Sequence, residues 1–120
     1  MRRARLHQLG LAVLVIGWLT VSEAAEQNVV ALRIAYPGAA PEQIEREVAI
    51  PLEQVLEKLR NVKAVLSRCD EGRLTVEVRF AGTARKNELA RVAKLVHEFW
   101  ASTPSRIGIP RLSLEPATLR

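Results

Sequence analysis

A split βαβ domain of the α+β class, ordered βαββαβ, is the fold this sequence predicts. Three observations carry the prediction. Strand-like stretches lie at 28–36, 62–69, 73–80 and 111–115; apolar residues at three- and four-residue steps follow the first and the third of these; and proline or glycine stands at most of the junctions. That order gives a ferredoxin-like arrangement, a four-stranded antiparallel sheet with two helices on one face and the other face left open.

In the first strand, Val30, Leu32, Ile34 and Tyr36 alternate with Val29, Ala31, Arg33 and Ala35, which gives one apolar face. Pro37-Gly38 ends it. Pro41 then suits the first turn of a helix, where its missing N–H costs nothing, and Glu42 and Glu45 stand where the helix dipole favours negative charge. Ile44, Val48, Leu52, Val55, Leu56 and Leu59 line one side of this helix. Pro51 removes a backbone donor and crowds the preceding turn, so a kink or split is expected between Val48 and Ile50.

The second strand is shorter, and Asp70-Glu71-Gly72 follows it as a hairpin turn in which glycine is free to take a positive φ. Residues 73–80 alternate most clearly. Leu74, Val76, Val78 and Phe80 share one face, while Arg73, Thr75, Glu77 and Arg79 share the other, which must meet water or a partner. After Ala81-Gly82-Thr83, the residues Leu89, Val92, Ala93, Val96 and Phe99 mark a second amphipathic helix reaching about Ser102. Leu112 and Leu114, bracketed by Pro110 and Pro116, read as a short edge strand.

The chain of 120 residues is the size of one domain. Met1 to Gln8 carries three arginines and no acid, Leu9 to Val21 is apolar, and Ser22-Glu23-Ala24 before Ala25 offers small residues to a signal peptidase. Residues 1–24 therefore read as a signal peptide, with an uncleaved N-terminal membrane anchor as the alternative. The apolar run is shorter than the roughly 20 residues a spanning helix needs. Residues 25–120 form the domain, and its destination is the periplasm or cell envelope. Setting aside Arg2, Arg3, Arg5 and Glu23 brings the formal charge from +5 to about +3, too mild to imply a polyanion partner. Aromatic residues make up only 4%, so the core is built of Val, Leu, Ile and Ala.

No catalysis, cofactor or metal is expected. Glu42, Glu45, Glu53 and Glu57 fall on an exposed helical side, where carboxylates are more often solvated charge than acid–base pairs. His97 has no Ser or Cys near it in sequence, and with Cys69 it is too little for a zinc site. Cys69, the only cysteine, reads as a small hydrophobe at a strand end. Nucleic acid is not expected either: the sheet positions that would stack bases hold Arg, Thr and Glu. Arg33, Glu77 and Arg79, on neighbouring strands, are the candidate partner-binding residues, a docking surface for another protein or an acidic ligand.

The run Tyr36-Pro37-Gly38-Ala39-Ala40-Pro41-Glu42-Gln43-Ile44-Glu45, followed by Val48 and Pro51-Leu52-Glu53, resembles the opening of the first periplasmic porter subdomain of resistance-nodulation-division (RND) efflux transporters. In that family a strand ending in Tyr-Pro-Gly-Ala leads into a helix with Pro-Glu and a mid-helix Pro-Ile/Leu-Glu. Asn61 to Val65, Ser67, Gly72 and Leu74 to Phe80 are similar to the family's next hairpin, and Ala90 falls where its second helix carries a small residue. The resemblance implies that Tyr36, Pro37, Gly38, Ala39, Pro41, Glu42, Ile44, Glu45, Val48, Pro51, Glu53 and Gly72 are structural motif positions. Together with the leader and the lack of catalytic groups, it points to a non-catalytic exported porter-like module that binds a protein partner in the envelope: an RND pump, its adaptor, or its own copy. Ser22-Glu23-Ala24-Ala25 departs from the proline-containing connector that follows the family's first transmembrane helix, and the membrane helices that carry proton-relay residues have no counterpart here. No transport activity is carried over. The alternatives are a truncated or split transporter fragment and a small-ligand-binding periplasmic module. Membrane contact is expected only through an uncleaved leader.

Overall fold

The computed structural model describes residues 27–103 and 107–119, so the signal-peptide reading of residues 1–24 lies outside the described residues. Four strands form from the alternating stretches: β1 (Asn28–Ala35), β2 (Val62–Asp70), β3 (Arg73–Phe80) and β4 (Arg111–Pro116). They make one antiparallel sheet in the order β2-β3-β1-β4. Two helices, α1 (41–56) and α2 (Lys86–Trp100), connect β1 to β2 and β3 to β4. The split βαβ order expected from the sequence is present.

Register follows from the apolar faces, because a slip of one residue would turn every inward side chain outward. Val30 lies opposite Val78 on β3 and Leu114 on β4, and Leu32 opposite Val76 and Leu112. Val30, Leu32, Val76 and Val78 form the core with Ile44, Val48, Leu52 and Leu56 of α1 and Val92 and Val96 of α2, and the half-buried Leu112 and Leu114 pack against it. Cys69 packs at the margin of this cluster. Burial, with the nearby carboxylates of Glu45, Glu53 and Asp70, pushes its thiol up, so near neutral pH it stays protonated and weakly nucleophilic.

The interruption expected at Pro51 takes a specific form. α1 is α-helical over Pro41–Ile44, π-helical over Glu45–Ala49 and α-helical again over Ile50–Leu56. The Ile50 N–H donates to the Glu45 carbonyl, five residues back. A widened turn just before Pro51 relieves the clash of its ring with the carbonyl four residues earlier. The same turn keeps the apolar stripe straight. Ile44, Val48, Leu52 and Leu56 recur at steps of four and are all fully buried. At about 3.6 residues per turn, each such step would carry the next side chain about 40° around the helix. The wider turn rotates the stripe back toward the sheet.

Pro51→Ala is therefore expected to lower stability by about 0.5–1 kcal/mol, because the π turn is held by core packing and the substitution mainly loosens the unfolded chain. Urea unfolding checks this, and a gain in stability would mean that proline alone imposes the turn.

Candidate interaction surface

The alternation that sends Leu32 and Val76 inward sends Ala31, Arg33, Thr75, Glu77 and Arg79 to the outer face, where Ala31 lies opposite Glu77 and Arg33 opposite Thr75. This face is not open as the sequence led us to expect. Val29 is 4% exposed, Ala31 2% and Glu77 2%, because residues 117–119 turn back from the end of β4 and cover its centre. Pro116 has no N–H to continue a ladder, so the strand ends there and the chain departs.

Glu77 organises the covering segment. Its neighbours across the sheet, Ala31 on β1 and Leu66 on β2, supply no polar partner. The Thr118 N–H donates to Oε1 at 3.2 Å and Oε2 at 3.0 Å, and the Leu119 N–H at 3.2 Å and 3.1 Å. The Thr118 hydroxyl adds a third donor at 2.6 Å from Oε2. Arg79 Nη2 stands 3.5 Å from Glu77 Oε1 and donates to the Leu119 carbonyl. Burial on its own would push the Glu77 carboxyl up, but the bonds from Thr118, Leu119 and Arg79 outweigh it and hold the group below its ordinary value.

Arg33 belongs to a separate arrangement. Both of its terminal nitrogens meet the Glu115 carboxylate on β4, Nη2 to Oε1 at 2.8 Å, and the Ser113 hydroxyl donates to the same group. The Arg33 guanidinium and then Ser113 bring the Glu115 carboxyl down from 4.5 to about 2. Of the three predicted partner-binding residues, the fold thus joins Glu77 to Arg79 and places Arg33 with Glu115.

Both carboxyls titrate lower in the folded chain than in the unfolded one. Their contribution is complete above the ordinary value of 4.5 and is lost as pH falls toward the folded values, about 2 for Glu115. Urea midpoints should therefore drop across that interval, and Glu115→Gln should flatten the part below pH 4. Midpoints that stay level on acidification would contradict the assignment.

The motif positions meet at the opposite end of β1. Pro37 and Gly38 occupy the centre of a turn closed by the Ala39 N–H to the Tyr36 carbonyl at 3.2 Å, with Gly38 at φ 80°. The Tyr36 N–H donates to the Gly72 carbonyl and the Gly72 N–H to the Ala39 carbonyl, both at 2.9 Å, which stitches this turn to the β2–β3 hairpin. The buried Tyr36 hydroxyl donates to Glu47 Oε2 at 2.7 Å and accepts from Gln43 at 3.2 Å. Pro41 opens α1 with Glu42 in its first turn, Ile44 and Val48 enter the core, and Pro51 stands in the first turn of the last segment. Glu53 accepts from the Ser67 hydroxyl, and Glu45 is exposed.

Residues 13–105, more than half of the chain, match the profile of the AcrB/AcrD/AcrF family. The chain belongs to that family. It is an RND transporter-derived domain, and no curated protein matches it. The matched span contains the whole of the Tyr36-to-Gly72 knot and ends before β4. In this RND-derived domain, therefore, the Glu77–Arg79 contact with residues 117–119 joins a strand inside the family match to a segment beyond it. Among the described residues no helix is long and apolar enough to cross a membrane, and no three His, Cys, Asp or Glu side chains group as a metal site requires. His97 is exposed on α2.

Two contacts were missed from the sequence. Tyr36, placed on the apolar face, needed a partner for its hydroxyl once buried, and Gln43 and Glu47, one helical turn apart, were the nearby signal. For Thr118 and Leu119 there was no such signal, because their contact with Glu77 is largely made by main-chain amides.

Proposed function

We propose that this RND-derived domain is a non-catalytic, exported, porter-like module that binds a protein partner in the cell envelope, an RND pump, its adaptor or a second copy. One observation carries the reading. Glu77 and Arg79 engage main-chain amides and a carbonyl, groups that any polypeptide offers, from fixed positions on a central strand. Arg33 and Ala35 remain exposed on the same face. A photo-crosslinking residue in place of Ala35 tests the reading in intact cells. Adducts with an envelope protein are expected there and not from the same probe in place of Lys94, which is exposed on α2; equal labelling from both positions would count against a specific face.

Export itself predicts Ala25 as the N-terminal residue of protein recovered from the envelope. An intact N-terminus in the membrane fraction would establish the anchor instead, a reading favoured by the start of the family match at residue 13, inside the apolar run.

A small-ligand reading stands second. An apolar groove of about 400 Å³ runs between α2 and β4, lined by Val96, Trp100, Ile109 and Leu112, with Ile109 86% exposed. Saturable uptake of a hydrophobic fluorescent probe, weakened by Ile109→Asp, would support it.

A further inference from the structure

The contact between β3 and residues 117–119 has the features of an occupied binding site. Glu77 is almost fully buried, and its charge is met by two successive amides and a hydroxyl. In an extended strand successive N–H groups point to opposite sides, so these amides converge on one carboxylate only because the backbone is turned there. Successive amides held this way form an anion-binding concavity. Arg79, on the same strand, reads the carbonyl of Leu119. One short segment thus has both its donors and its acceptor recognised by side chains that the sheet holds rigidly.

The recognition depends little on which side chains the segment carries. Ala117 and Thr118 are exposed and Leu119 is half-buried, so the face reads main chain plus one hydroxyl. A cleft of about 660 Å³ beside the segment, lined by Val29, Lys63, Ala64, Arg79 and Ala117, gives a longer peptide room to continue. Arg79 Nε is buried next to it without a hydrogen-bond partner among the described residues.

We infer that the outer face of β3 is a docking site for a turned peptide segment, that residues 117–119 are its resident occupant, and that the partner in trans presents two successive main-chain amides with a Ser or Thr hydroxyl. The inference rests on the protein-binding reading and names the chemistry of that partner. Entry requires the resident to leave, and Pro116 marks the point from which it can swing away.

The test uses the full chain carrying Thr118→Pro and Leu119→Pro, which removes both resident amides without touching β3. The probe is a fluorescently labelled peptide of sequence Pro-Ala-Thr-Leu-Arg, that of residues 116–120, followed by anisotropy. The altered chain should bind it about tenfold or more tightly than the unaltered chain does, and adding Glu77→Gln should abolish the gain. Equal binding by the two chains, with the fold intact by circular dichroism, overturns the inference. An unaltered chain that sediments as a dimer which the altered chain cannot form overturns the resident in cis, since the occupant is then the 117–119 segment of a second copy. Because the probe is a defined peptide, failure here is distinct from failure to find an envelope partner.

Discussion

Leu52→Ala is expected to lower the stability of this domain by about 2–5 kcal/mol. Leu52 is fully buried, follows Pro51 directly, and is the third of the four side chains that α1 sets against the sheet. The turn before it is π-helical and the residue before it is proline, so the backbone has little freedom to move into the space that a missing isobutyl group leaves. The cavity should persist, which places the loss in the upper part of the range. For a small domain whose total stability is on the order of 5–15 kcal/mol, that is a large share. Urea denaturation gives the value, and a loss under about 1 kcal/mol would show that the four-residue stripe is not the packing face.

Gly72→Val is expected to cost about 1–3 kcal/mol, through backbone conformation more than through lack of room. Gly72 sits at φ 70°, and a Cβ built there would lie 3.6 Å from the Tyr36 carbonyl oxygen, an ordinary contact. The left-handed conformation is what a β-branched residue resists. Relaxing it would break the hydrogen bonds that Gly72 makes to Tyr36 and Ala39, and so loosen the turn that starts α1. Gly72→Asn should cost much less, since Asn tolerates this conformation. Thermal unfolding of both variants gives the order, and equal losses would shift the cause from φ to space.

How far the fold could be read before the structure depended on what each residue announces locally. The four strands were legible because Leu32, Val76, Leu112 and their alternates mark one face every second residue, and the order of elements then left a single familiar topology. Pro51 gave away the place of the break in α1 but not its kind; that depended on Ile44, Val48, Leu52 and Leu56 needing one face at a spacing an unbroken α-helix does not keep. The outer face was read least well. Val29 and Ala31 stood correctly on it, yet they are buried, and Glu77, read as part of a docking surface for a partner, is covered by the chain's own residues 117–119. Its partners lie 41 and 42 residues away and are mostly main-chain amides, which no side-chain pattern reveals. Arg33 and Arg79 looked equivalent by alternation, and only the register, which puts Glu115 within reach of Arg33, separates them.

The most direct test of the central claim is affinity capture of the tagged full chain from its own cell envelope in mild detergent, with mass spectrometry of what is recovered. The account predicts an RND-type transporter, its periplasmic adaptor or an untagged second copy of the chain in the eluate, and a clear reduction when Arg33 and Arg79 are both changed to alanine. Recovery of the tagged chain with none of these, or a partner whose yield ignores both substitutions, would contradict it.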